Sequence, residues 1–87
     1  MGRLCATRGV ATLMEESAEF SAFVHQSLDR YIRCDWGDTC EEDWEQNDSA
    51  VRDGERILAM YENSKWRIWI ITEWDRSVTT VLFPEEY

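Results

Sequence analysis

Eighty-seven residues, 44% hydrophobic and 13% aromatic with five Trp and one Pro, are enough for one core and leave no room for a second domain. Such a composition excludes a disordered polar tail, because burying that much apolar surface offsets the entropy of ordering the chain. Eighteen Asp and Glu against nine Lys and Arg give a formal charge of −9, which argues against direct binding to nucleic acid or anionic membrane, where Lys and Arg drive association.

Residues 1–12 show no sustained period and read as a loose arm of the single domain 1–87. Thr12-x-x-Glu15 fits a capping box and predicts at most a short helical turn there. From Ser17, a plausible N-cap, Phe20, Phe23/Val24, Ser27/Leu28 and Tyr31/Ile32 recur at three and four, which predicts an amphipathic helix over about 17–33. Asp35-Trp36-Gly37-Asp38 marks a turn. Thr39-Cys40-Glu41-Glu42 then opens a second helix through Trp44, Asn47 and Ala50/Val51 toward Ile57/Leu58, with Gly54 either stopping it or allowing close packing.

The last third changes period. Residues 57–61, 66–74 and 77–83 read as strands, separated by the turns Glu62-Asn63-Ser64-Lys65 and Asp75-Arg76 and ended by Pro84. Apolar side chains on both faces of the middle strand place it centrally. The expected fold is α+β, two N-terminal helices packed on a three-stranded antiparallel β-meander.

Motifs for chemistry are scarce. Cys5, Cys34 and Cys40 are odd in number, Cys34-x5-Cys40 is not a zinc clip, and His25 is the single His, so free reduced thiols are expected without a metal. No spacing supplies an orienting partner for a Cys-His pair. The acidic residues lack the EF-hand order, and a glycosidase-like carboxylate pair would need a cleft that so short a chain hardly accommodates. No enzyme activity and no cofactor are expected. No apolar run is long enough for a membrane span and the first residues lack a secretory pattern, so a cytoplasmic protein is expected.

The charge is placed unevenly. Asp35, Asp38, Glu41, Glu42, Asp43, Glu45, Asp48, Asp53 and Glu55 crowd into 35–55 against one base, Arg52, so this segment carries −8 of the net −9. On a continuous helix Asp38, Glu41, Glu45 and Asp48 would stack on one face, roughly 4.5–6 Å apart along the axis. Such a ridge imitates a row of phosphates and suits a groove lined with Arg and Lys. The predicted contacts are Asp35, Asp38, Glu41, Glu42, Glu45 and Asp48, with Trp36 and Trp44 as anchors. Trp66, Trp69 and Trp74 are expected in the sheet and core.

Cys34-Asp35-Trp36-Gly37-Asp38 and the run from Trp69-Ile70-Ile71-Thr72-Glu73-Trp74 through Asp75-Arg76-Ser77-Val78-Thr79-Thr80 to Val81-Leu82-Phe83-Pro84-Glu85-Glu86-Tyr87 resemble a family of small bacterial proteins carried by plasmids, phages and other mobile elements. The resemblance spans about 20–87 and brings no enzymatic motif. Size, acidity and mobile-element character also resemble those of anti-CRISPR proteins, several of which mimic DNA. The resemblance implies an inhibitor in the bacterial cytoplasm that binds a basic surface of a type I CRISPR surveillance complex (Cascade) and blocks target DNA. The alternative is a non-enzymatic accessory protein of a mobile element that binds a host protein through its sheet edge or exposed Trp side chains.

Overall fold

The computed structural model describes residues 3–87. Its elements are β1 (Arg3–Ala6), α1 (Arg8–Glu16), α2 (Ala18–Ile32), α3 (Glu41–Asp53), β2 (Ile57–Glu62), β3 (Arg67–Thr72), β4 (Val78–Leu82) and a 3-10 turn, Pro84–Glu86. The class is α+β, with three helices and one mixed sheet of order β1-β4-β3-β2. The meander β2-β3-β4 is antiparallel, with β3 inside it as expected, and β1 is parallel to β4. No helix among the described residues is long and apolar enough to cross a membrane.

The expected two helices and three-stranded antiparallel meander are corrected in one respect: the supposed arm adds a third helix and a fourth strand, which makes the sheet mixed. The supposed arm is ordered from Arg3: β1 pairs Arg3 with Val78 through Ala6 with Val81, and α1 follows at once. Met1 and Gly2 lie outside the described residues. Of the two roles left open for Gly54, the structure takes the first: the second helix stops at Asp53, where Gly54 adopts the left-handed conformation (φ 73°) and its N–H closes on the Ala50 carbonyl. Ile57 begins β2, as the strand pattern over 57–61 predicts.

α2 forms where the apolar stripe predicts. The Ser17 hydroxyl accepts a hydrogen bond from the Phe20 N–H, and Phe20, Val24, Ser27 and Tyr31 face inward. They meet one face of the sheet, made by Ala59 and Tyr61 of β2, Ile68 and Ile70 of β3, and Val81 of β4, all at most 2% exposed. Each large side chain buried here contributes about 1.5–3 kcal/mol. Phe20 packs against Trp66 (5.1 Å between ring centroids) and Phe83 (5.6 Å) at one end of this layer. At the other end the buried Tyr31 hydroxyl shares a hydrogen bond with Thr72 Oγ1 (2.6 Å), which in turn bonds Thr79 Oγ1 (2.9 Å). The opposite face of the sheet carries Leu58, Met60, Trp69, Ile71, Thr80 and Leu82; the Tyr87 ring lies against Trp69 there (5.3 Å) and its hydroxyl accepts from Arg56.

α1 has no side-chain cap of its own. The carboxylate of Glu86 supplies one from the far end of the chain, accepting from the Thr7 hydroxyl (2.6 Å), the Gly9 N–H (3.3 Å) and the Phe83 N–H (2.9 Å). A negative group at a helix N-terminus also suits the helix dipole. Desolvation works against the Glu86 charge, but the hydrogen bonds from Thr7, Phe83 and Gly9 outweigh it and hold the carboxyl below its ordinary pKa.

The edge strand β2 is closed by side chains from the segment before it. Asn47, 4% exposed on α3, donates to the Leu58 carbonyl (2.7 Å) and accepts from the Leu58 N–H (3.2 Å). Thr39 Oγ1 accepts from the Met60 N–H (2.9 Å), the Asp38 N–H donates to the Met60 carbonyl (2.8 Å), and Asp38 Oδ2 accepts from the Glu62 N–H (2.9 Å). Five main-chain groups that would otherwise face an empty edge are thereby paired.

Two outcomes follow from these contacts. Asn47→Ala leaves both Leu58 groups unpaired, and urea unfolding is expected to show a loss of about 2–3 kcal/mol. Glu86→Ala is expected to cost about 1 kcal/mol at neutral pH. Because the folded-state pKa of Glu86 is depressed, its contribution is present above the unfolded carboxyl value of about 4.3 and is lost as pH falls through the folded value, so the stabilities of the two proteins converge in acid.

Candidate functional site

The acidic segment 35–55 contains a turn, α3 and the lead into β2. Its first part is built around a tight approach of main chain to ring: Gly37 (φ 66°) bridges to Met60, and a Cβ there would stand 2.8 Å from the Met60 carbonyl and run into the Tyr61 ring. Only glycine fits. The Tyr61 hydroxyl donates to the Asp35 carbonyl (2.6 Å), and burial pushes its pKa well up, so it stays protonated as a donor.

Asp35 is bound within the fold. Arg30 grips its carboxylate through two bonds (2.9 and 3.2 Å), and the Gly37 N–H donates to the same group (3.1 Å). The hydrogen bond from Arg30 holds the Asp35 carboxyl below its ordinary pKa despite some desolvation, with Gly37 adding to the effect. Both side chains are nearly half exposed (48% and 43%), so the pair contributes less than about 1 kcal/mol. Its consequence is that Asp35 arrives already neutralised.

Asp38 is not on a helix, which corrects the expected Asp38-Glu41-Glu45-Asp48 stack. It sits in the turn before α3 and bonds the Glu62 N–H. Asp48 is on α3, but its Oδ1 accepts from the indole N–H of Trp36 (2.9 Å). Trp36 itself is 1% exposed, edge-on to Tyr31 at 5.3 Å, and therefore belongs to the core instead of serving as a surface anchor. Trp44 is half-buried against the same core. The polar turn around Trp36 gave no sign of this, because an indole can be buried wherever its N–H finds an acceptor, and Asp48 is twelve residues away.

Glu41, Glu42 and Glu45 remain. All three are exposed, and none joins any of the four ion pairs among the described residues. Their direction follows from Asn47: at about 100° per residue, a helix that turns Asn47 onto the β2 edge turns Glu42 and Glu45 nearly opposite and Glu41 to the flank. Asp43, absent from the predicted contacts, is also exposed and unpaired, beside Gln46 and Arg56 in a shallow hollow. Its place in the first turn was the available signal, since acids there gain from the helix dipole. Asp53 accepts from Ser49 Oγ, and Glu55 lies past Gly54, off the helix. The site is thus the outward side of the first two turns of α3, with the three carboxylates of Glu41, Glu42 and Glu45 in no ion pair among the described residues; Asp43, only about 40° from Asn47 around the helix, lies on the β2 side.

Among the described residues no group of three His, Cys, Asp or Glu could hold a metal ion. Cys5, Cys34 and Cys40 are free, and Cys34 occupies the left-handed region (φ 63°) after α2. An apolar hollow of about 320 Å³ lies between the ends of α2 and α3, lined by Ile32, Val51 and Ile57 with Arg76 at its wall. The Arg76 guanidinium is occupied there, donating to the carbonyls of Ala50, Glu55 and Glu73. No protein-family model, curated protein or solved structure matches this chain.

The division between internally bonded and outward acids has a thermodynamic signature. Asp48→Ala strands the buried Trp36 N–H and is expected to lower stability by about 1–3 kcal/mol in denaturant titration. Glu45→Gln removes repulsion from Glu41 and Asp48 and is expected to raise stability by a few tenths of a kcal/mol.

Proposed function

We propose that the protein is a non-enzymatic inhibitor that acts as a nucleic-acid decoy, presenting the outward carboxylates of α3 to a basic groove that normally grips phosphates. The observation that carries this reading is the set Glu41, Glu42 and Glu45, exposed together on the side of α3 away from β2 and joined to no base among the described residues. Repulsion at i,i+4 spacing opposes such an arrangement by a few tenths of a kcal/mol per pair, and the helix dipole offsets part of it. Glu41 and Glu45 stand about 6 Å apart along the axis, near twice the ~3.4 Å step between phosphates on one DNA strand. Arg and Lys side chains spaced for phosphates can therefore make charge-assisted bonds to them.

The target this reading favours is a DNA-binding subunit of a type I CRISPR surveillance complex (Cascade) in the bacterial cytoplasm, with the protein acting as an anti-CRISPR. Support for that target comes from the resemblance of residues 20–87 to small mobile-element proteins and from the charge. Asp35, Asp38 and Asp48 have internal partners and add to the field more than to the contact, and the buried Trp36 takes no part in it. Binding is consequently electrostatic in character: fast at low salt and weakened at least about tenfold between 50 and 200 mM salt.

A second reading, an accessory protein that binds a host protein through apolar contact, is favoured by Trp74, which is 68% exposed in the β3–β4 turn. It predicts binding that salt hardly changes.

The deciding measurement is target DNA binding by purified type I complexes with and without the protein. Inhibition at low salt is expected, and it is expected to vanish when Glu41, Glu42 and Glu45 are all changed to Lys while the melting temperature stays close to that of the parent. Inhibition that survives the triple change places the contact elsewhere, and undiminished DNA binding across type I subtypes at low salt removes the proposed target.

A further inference from the structure

The two edges of the sheet differ. On β2, the outward main-chain groups of Leu58, Met60 and Glu62 are taken by Asn47, Thr39 and Asp38. On β1, the N–H groups of Arg3 and Thr7 donate to Ser77 and Val81 of the β4 side, which fixes the odd-numbered residues of β1 toward its partner. Leu4 and Ala6 therefore turn their N–H and C=O groups away from the sheet. Outside the ladder, no hydrogen bond among the described residues reaches them, Leu4 is 54% exposed, and Ala6 is exposed. Such an edge is a template for another strand.

Two further features lie against it. Beside β1, on the helix side, is a mostly apolar hollow of about 220 Å³ lined by Leu4, Ala6, Met14, Val24, His25 and Leu28. On the other face stands Arg3, and Arg8 opens α1; neither is in an ion pair among the described residues, and no acid occurs between Arg3 and Met14. Two bases and no acid thus belong to this strand and the start of α1 in sequence, while the Glu86 carboxylate bonds Thr7 and Gly9 and Asp75 bonds the Ser77 N–H at its ends. A strand added to β1 would send alternate side chains into the hollow and toward Arg3.

We propose that the β1 edge is a second docking surface, which takes up an extended segment of a partner protein with apolar side chains at every second position and acidic ones between them. The main chain of the segment pairs with Leu4 and Ala6, an aliphatic side chain enters the hollow beside α2, and a carboxylate meets Arg3. Main-chain pairing provides affinity and the alternating side chains provide selectivity. This surface stands at the opposite edge of the sheet from α3 and does not depend on the decoy reading.

The probe is an acetylated, amidated hexapeptide of alternating Val and Glu, added at up to 1 mM to the isotope-labelled protein while amide exchange is followed by NMR. Exchange at Leu4 and Ala6 is expected to slow at least tenfold, with Leu58 and Met60 unchanged. The same peptide N-methylated at alternate residues, so that its edge-facing donors are lost, is expected not to bind. Arg3→Glu is expected to weaken the Glu peptide at least threefold and to favour a Val/Lys peptide instead. Unchanged exchange at Leu4 and Ala6, equal binding of the methylated peptide, or indifference to Arg3→Glu would each overturn the proposal. Protection that rises with protein concentration alone would also overturn it, by giving the edge to a second copy of the chain.

Discussion

The closing of the β2 edge is the constraint on which the arrangement rests. A four-stranded sheet has two outer strands whose main-chain groups need partners or water, and in this fold one of them is sealed by the residues just before it in sequence. Asn47 is decisive because its amide both donates to and accepts from Leu58 and so fixes α3 in rotation as well as position. With one side of the helix tied to the strand and Ala50 in the core, the acidic side has only solvent to face.

That tie also sorts the charges. Acids near the turn and the core are drawn into internal bonds: Asp35 to Arg30, Asp38 to the end of β2, Asp48 to the indole of Trp36. Those on the outer turns of α3 are left to the medium and to whatever cation approaches. Elsewhere Arg56, Lys65 and Arg67 lie beside Glu73, Glu19 and Glu62. The surplus of acid, −8 of the net −9, accordingly stays in the turn and helix of residues 35–55.

The parallel strand β1 gives the sheet its second asymmetry. It joins residues at the start of the chain to those near its end, and Glu86 reinforces the junction by capping α1. Stability at this margin depends on contacts nearly eighty residues apart in sequence. The same placement leaves β1 short and open while β2 is closed, so the two ends of the sheet present different chemistry to a partner.

Much of this was legible in the residues. The apolar stripe of α2, its Ser17 cap, the three strands of the meander and the central place of β3 all follow from local period, and the crowding of acid into 35–55 needs only counting. α1 was partly legible, since Val10, Leu13 and Met14 recur at three and four, but Gly9 and the β-branched Val10 and Thr12 obscure the pattern. β1 was not legible. Its four residues are mostly exposed and lack alternation, and it is a strand only because β4 supplies a ladder from the other end of the chain. The sequence by itself determined the class of fold and the amount and location of charge, because propensity, period and composition are local quantities. Tertiary structure decided which carboxylates point outward, that Trp36 is core and not surface, and which edge stays open, because these depend on hydrogen bonds between residues that no spacing rule connects.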